Sequence, residues 1–234
     1  MIHMKAKDNG LGVTVYGDHW DVGMLVKALK QFAENETQPQ YNGTKVRLFC
    51  LCYDLCDALM GKRDITFLDF DKGLFTVTYR RYLGERKSLY VGAQILWPEL
   101  LFITMALNEL VNQDKYAEWD ESAAYVRVFQ SAAITCLKKK LPAETFADVI
   151  RIIKNPNFSI RGYTTQYIDV LNAEFLDMDQ EKRLSSIQQA AWRIARQGDD
   201  YQDVQNTVRK IALRQNCRTW DVRLNVRHPE EIMV

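Results

Sequence analysis

The chain has 234 residues, 47% hydrophobic and 26% charged, with a formal net charge of +1. That length buries a sizeable core in one large or two modest domains, and that composition excludes a disordered or fibrous chain. Charge is balanced in each half of the sequence, so neither half reads as the electrostatic footprint of a nucleic-acid or membrane protein.

The first half alternates element types. Val13 to Tyr16 reads as a short strand. Val22, Leu25, Leu29 and Phe32 then recur with helical spacing, and Asp18 or Asp21 stands where a helix cap belongs. A second helix is expected over Thr44 to Met60, stopped at Gly61. The period then changes. Ile65 to Phe70 and Leu74 to Tyr82 are β-rich, with Asp71-Lys72-Gly73 as a hairpin loop between them. Gly84-Glu85-Arg86-Lys87 turns the chain into a third strand over Ser88 to Leu96, completing a three-stranded antiparallel meander. Pro98 and Glu99 open a helix to about Val111 that is apolar on most sides. Only Thr104, Asn108, Asn112 and Glu109 interrupt it, which marks a buried, central helix.

The second half reads as helices only: Asp120 to Lys140, Ala143 to Lys154, Thr165 to Met178, Gln180 to Gln197 and Asp200 to Gln215. The tail from Arg218 onward returns to extended character. The expected class is therefore α+β. A small antiparallel sheet, the meander plus the short N-terminal strand, packs on helices and is followed by an all-helical C-terminal half. The expected units are residues 1–112 and 118–234, which need not have separate cores.

Three stretches of the first half resemble an uncharacterised bacterial family, a domain of unknown function. They are Gly17-Asp18-His19-Trp20-Asp21, Leu51-Cys52-Tyr53-Asp54-Leu55 leading to Ala58-Leu59-Met60-Gly61-Lys62-Arg63, and Leu96-Trp97-Pro98-Glu99-Leu100 leading to Thr104-Met105-Ala106-Leu107-Asn108. The resemblance covers roughly residues 10–112 and implies that they are one evolutionary unit. It implies no activity.

The pentapeptide at residues 17–21 is the densest chemical cluster. Asp18, His19 and Asp21 suit a general base steered by a carboxylate, or a metal site. The plainer reading makes an Asp the helix cap, Trp20 a core anchor and His19 an exposed turn residue. Cys50 and Cys52, two apart on a helix, point about 200° from each other and cannot share an ion. Cys52 and Cys56 share a face with Leu48, Leu55 and Leu59, which is a core stripe. On the other face, Arg47, Asp54 and Asp57 line up with Tyr53 beside them. The two carboxylates form either an acid–base pair or a solvated, salt-bridged face.

Near the C-terminus Arg209, Lys210, Arg214, Arg218, Arg223 and Arg227 stand against one acid, Asp221, with Trp220 as a stacking surface. This is a possible contact for a polyanion. Phosphate-binding loops, nucleophile elbows and zinc-ligand spacings are absent, so no cofactor or metal is expected. Five cysteines, three of them in one segment, do not form a secreted disulfide framework. The apolar run from Leu89 to Leu107 is too interrupted to span a bilayer. These features point to the cytoplasm and away from the membrane.

The leading expectation is a non-enzymatic binding or protein-interaction module, acting on a protein partner or by self-association. The first alternative is a small metal-dependent or acid–base hydrolase using Asp18, His19, Asp21 and Asp54, with Asp57 beside them. The second is a nucleic-acid-associated factor using the basic C-terminal segment.

Overall fold

A computed structural model describes residues 1–69, 87–112 and 119–226. In chain order the elements are β1 (His3–Ala6), β2 (Gly12–Gly17), α1 (His19–Asn35), a 3-10 turn (Pro39–Tyr41), α2 (Asn42–Leu59), β3 (Asp64–Asp69) and β4 (Lys87–Leu96). Then follow α3 (Trp97–Val111), α4 (Glu121–Lys140), α5 (Ala143–Ile153), α6 (Gln166–Asp177), α7 (Gln180–Arg196), α8 (Asp199–Gln215) and a last 3-10 turn (Thr219–Asp221). The α+β class with an all-helical second half is thus as expected. No helix among the described residues is long and apolar enough to cross a membrane.

The strands form one antiparallel sheet in the order β1-β2-β4-β3. Two-residue alternation decides its faces. Register places Ala6 opposite Val13, Val13 opposite Ile95, Val15 opposite Ala93 and Gly17 opposite Val91. All of these are buried on the face toward the helices. The other face is polar: Gln94 Nε2 donates to Asp64 at 3.1 Å, and Lys7 donates to Gln94 Oε1. Gly92 lets the Tyr16 ring lie across the strand, since a Cβ there would sit 2.6 Å from the ring.

The sheet refines the expected strand arrangement in two ways. Strand β1 joins it as an edge, on a segment too short and polar to announce itself. The outer strands of the expected meander, β3 and β4, pair directly with each other, Ile65 opposite Val91 and Phe67 opposite Leu89. The expected middle strand, Leu74 to Tyr82, and both turns beside it lie outside the described residues.

Helix α3 is buried on nearly every side, from Trp97 through Leu110, as its composition predicts. It packs against β4, α2, α4, α6 and α7. The main hydrophobic cluster runs from Ile2 to Tyr201 and draws on both halves of the chain. The expected helices appear within a residue or two at most ends, and Asp120 caps α4 by accepting from Ala123 N at 2.8 Å. The tail departs from an extended course at the 3-10 turn over Thr219–Asp221, and residues 227–234 lie outside the described residues.

Two ionic nodes join distant helices. On α2, Arg47 donates to Glu99 of α3 at 2.5 Å, to Asp169 of α6 at 2.6 Å and to the Thr165 carbonyl at 2.6 Å. Asn172 donates to the same Glu99 oxygen at 3.0 Å. The Arg47 side chain is 12% exposed. Burial opposes its charge, yet Glu99 and Asp169 hold its pKa above the ordinary arginine value. Burial likewise pushes the Glu99 carboxyl up, against the pull of Arg47. The second node is Arg193 of α7, bonded to Glu174 of α6 at 3.2 Å and to Asp200 of α8 at 2.7 Å. The Tyr167 hydroxyl also donates to Asp200.

Replacing Arg47 by Met leaves Glu99 and Asp169 as unanswered buried charge, so urea denaturation should show a loss of about 3–5 kcal/mol. The Asp200 carboxyl gives a pH signature. Partial burial works to raise its pKa, but the bonds from Tyr167 and Arg193 hold it below the ordinary value. A carboxyl depressed in the folded state stabilises above its unfolded pKa, and that contribution is lost as pH falls through the folded one. Denaturation across the acid range should therefore show Asp200→Asn converging on the parent protein at low pH.

Candidate functional site

The residues at the β2–α1 junction are explained by the turn they build. Gly17 passes so close to its neighbours that a Cβ would sit 2.8 Å from both Ile2 Cδ1 and Val22 Cγ2. Asp18 is the N-cap of α1, its carboxylate accepting from Asp21 N at 2.8 Å. Asp21 in turn pairs with the N-terminal ammonium of Met1. His19 is exposed and makes no hydrogen bond among the described residues. The Tyr90 hydroxyl is pushed up mainly by burial and then by the charges of Asp18 and Asp21.

Trp20 corrects the expectation of a core anchor: it is 71% exposed. The buried stripe of α1 is Val22, Leu25, Leu29 and Phe32. A residue two positions before Val22 is turned about 200° away from it, toward solvent.

On α2, the line of Arg47, Asp54 and Asp57 divides. Arg47 turns inward to Glu99 and Asp169, because α3 and α6 pack against that end of the helix. Asp54 and Asp57, nearer the other end, both meet Arg63, at 2.7 and 3.7 Å, and Asp57 also meets Lys62 at 3.2 Å. The two carboxylates therefore form the salt-bridged face. Cys52 is buried and Cys50 exposed, and all five cysteines are free. Among the described residues no three His, Cys, Asp or Glu side chains are placed to hold a metal ion. Asp54 is therefore not joined to Asp18, His19 and Asp21 as a ligand set.

In the C-terminal segment, Arg209, Lys210 and Arg214 are exposed on α8, and Arg223 is exposed beyond it. Arg218 pairs with Asp221 at 2.9 Å and lies 5.1 Å from the Trp220 ring centre. Arg227 lies outside the described residues. Trp220 and Arg209 help to line a cavity of about 140 Å³ with Gly43, Thr165 and Gln205.

Three features escaped the sequence reading. Glu99 was legible only as an acid at a helix start, and nothing marked Asp169 as its neighbour. The exposed apolar side chains of α2 share its outward face with Asp54 and Asp57, which break up their pattern in the sequence. The third is a groove of about 850 Å³ between the end of α3, α4 and the loop after α5. It is walled by the polar stripe that interrupts α3, including Asn108, Glu109 and Asn112.

The different duties of neighbouring residues can be measured. Asp18→Ala should lower unfolding free energy by about 1 kcal/mol through loss of the cap. His19→Ala should leave it unchanged, because nothing in the described structure rests on the imidazole. Parallel urea titrations of the two variants check both.

Searches of curated proteins and of solved structures return no match. A family model does match, over residues 2–233, and it reaches across both halves of the chain where the resemblance in the sequence covered only the first. The chain belongs to the family described as a domain of unknown function, DUF6904.

Proposed function

We propose that this protein is a non-enzymatic, cytoplasmic interaction module that pairs with a second copy of itself through the outward face of α2. The observation that carries this reading is a seam of spacing four, three, four, three: Val46, Cys50, Tyr53, Asp57 and Met60. Val46, Tyr53 and Met60 are 46%, 73% and 60% exposed. This is the spacing with which one helix packs along another, and a soluble surface rarely leaves so many large apolar groups together without use.

The strip continues past the helix. Gly61 lies against Ile65, close enough that a Cβ there would be 3.9 Å from Ile65 Cδ1. Ile65, Phe67 and Leu89 are each more than half exposed on the same face of the sheet, Phe67 directly opposite Leu89.

The seam is symmetric about Tyr53, with Val46 seven residues before it and Met60 seven after. An antiparallel copy therefore sets Val46 against the other Met60 and the two Tyr53 rings against each other. A two-fold contact requires this kind of self-complementary patch. Asp54 and Asp57 are already answered by Arg63 and Lys62 within the chain, so a second copy meets little like-charge repulsion.

Sedimentation velocity across a micromolar range should show a concentration-dependent dimer for the parent protein. Tyr53→Lys, at an exposed position, should be monomeric with an unchanged fold by circular dichroism. A parent protein that stays monomeric throughout, or a dimer indifferent to Tyr53→Lys, overturns the reading.

A further inference from the structure

The groove beside α3 carries a charge arrangement that the interaction surface on α2 does not use. Arg127, Lys154 and Arg161 stand on its walls, while the buried side chains of Met105, Ile153 and Phe158 form an apolar floor. Among the described residues none of these three cations forms an ion pair. Among the described residues the one carboxylate on the wall is Glu109; it attracts Arg161, which also bonds the Tyr41 hydroxyl, and it is occupied with holding the loop after α5. It accepts from the Tyr41 hydroxyl at 3.0 Å, from Ser159 at 3.3 Å and from Ile160 N at 2.7 Å.

Arg127 is the best-ordered of the cations, and neutral groups do the ordering. Its Nη1 donates to Asn108 Oδ1 at 3.0 Å and Gln130 Oε1 at 2.9 Å, and its Nη2 donates to Asn112 Oδ1 at 2.7 Å. These amides are themselves fixed. The buried Gln130 donates to the Thr104 carbonyl at 2.9 Å, and Asn108 Nδ2 donates to the Ile153 carbonyl at 3.0 Å. A carboxylate in their place would hold the guanidinium equally well and cancel its charge. Amide oxygens hold it and leave the charge available. Of five N–H donors, Nε–H and one on Nη2 have no partner among the described residues, and an arginine so prepared suits an oxyanion.

We propose that this groove binds a phosphate monoester. The phosphate sits at Arg127, with Lys154 and Arg161 matching the rest of its charge, and the organic body lies on the apolar floor. Among the described residues, three cations stand against one internally bonded carboxylate, an excess close to two positive charges that fits a dianionic phosphate better than a single carboxylate.

Titration calorimetry on the full chain tests this with AMP, inorganic phosphate and adenosine as probes. AMP should bind, more tightly than inorganic phosphate, and adenosine should not. Arg127→Gln should weaken AMP binding by about tenfold or more, the range set by losing a charge-assisted bond. Asn108→Asp should weaken it as well, by supplying the neutralising carboxylate while keeping the Arg127 contact. Lys154→Gln, at an exposed site, gives a third reading if either of the others perturbs folding. Absence of AMP binding at millimolar concentration overturns the proposal, as does AMP binding unchanged in Arg127→Gln and Lys154→Gln. Equal affinity for inorganic phosphate and AMP overturns the ester and assigns the site to the free ion. Binding of single-stranded oligonucleotide without binding of AMP also overturns it, in favour of a polymer. Oligomeric state does not enter any of these outcomes, so Tyr53→Lys should bind AMP as the parent does.

Discussion

A guanidinium withdrawn from water must be answered by charge, because the penalty for leaving it unpaired is several kcal/mol. Arg47 imposes that condition at the place where α2, α3 and α6 meet. Its two carboxylates come from positions 52 and 122 residues away in sequence, one on the central helix and one deep in the helical half. The side chain can reach both only if the three helices hold one relative placement. A nonpolar cluster of similar size would tolerate sliding and rotation, since apolar contact is non-directional. The ion pairs do not. Arg47 Nε and Asn172 Oδ1 have no partner among the described residues, so the node is an incomplete network and a poor source of net stability. Its value lies in fixing the register between the sheet-bearing half and the helical half.

Helix α3 is the element that makes this register matter. Strand β4 runs into it without a loop, Leu96 ending the strand and Trp97 beginning the helix, so the central strand and the core helix are one continuous segment. Its apolar sides meet α2, α6 and α7. Its polar stripe is not a concession to solvent. Gln130 of α4 bonds the Thr104 carbonyl, Asn108 bonds the last carbonyl of α5, and Glu109 ties the chain at Ile160. The side chains of Asn108 and Glu109 each dock a separate piece of the second half, while the Thr104 hydroxyl turns back to the Leu100 carbonyl in its own helix and leaves the docking there to the Thr104 carbonyl.

Much of this was legible in the sequence wherever the information is periodic and local. The first two helices of the second half announced themselves through apolar spacing and the last three through the residues that stop them, and the cap of α1 could be narrowed to Asp18 or Asp21 because a cap requires only its own turn. Trp20 shows how that reading fails when residue type is allowed to outweigh period. Counting back from Val22 puts the indole outside, whatever its hydrophobicity. Strand β1 fails differently, since His3-Met4-Lys5-Ala6 lacks the β-branched residues that mark the equally short run Val13 to Tyr16. Arg47 and Asp54 lie on nearly the same side of α2 by period, yet one is buried and the other solvated, because opposite ends of a helix meet different neighbours. Nor could the groove be foreseen: Arg127 finds its amides 19 and 15 residues upstream, and those amides read only as interruptions of an apolar helix.

The residues that carry the family resemblance have, for the most part, internal duties. Gly17 permits a close approach, Asp18 caps α1, Leu51, Cys52 and Leu55 fill the core, Asp54 pairs with Arg63, and Trp97 and Glu99 anchor α3. A framework of this kind specifies a shape and leaves outward-facing positions to answer for what the shape is used for. Val46, Tyr53 and Met60 contribute little to the core they cover, and exposed Lys154 pairs with no carboxylate among the described residues. Side chains without internal employment are where selection by a partner or ligand can act without disturbing the fold. Asn108 stands at the border between the two classes. It pins α5 with its amide hydrogens and holds out Arg127 with its oxygen, so that one residue of the framework determines how the groove presents its charge.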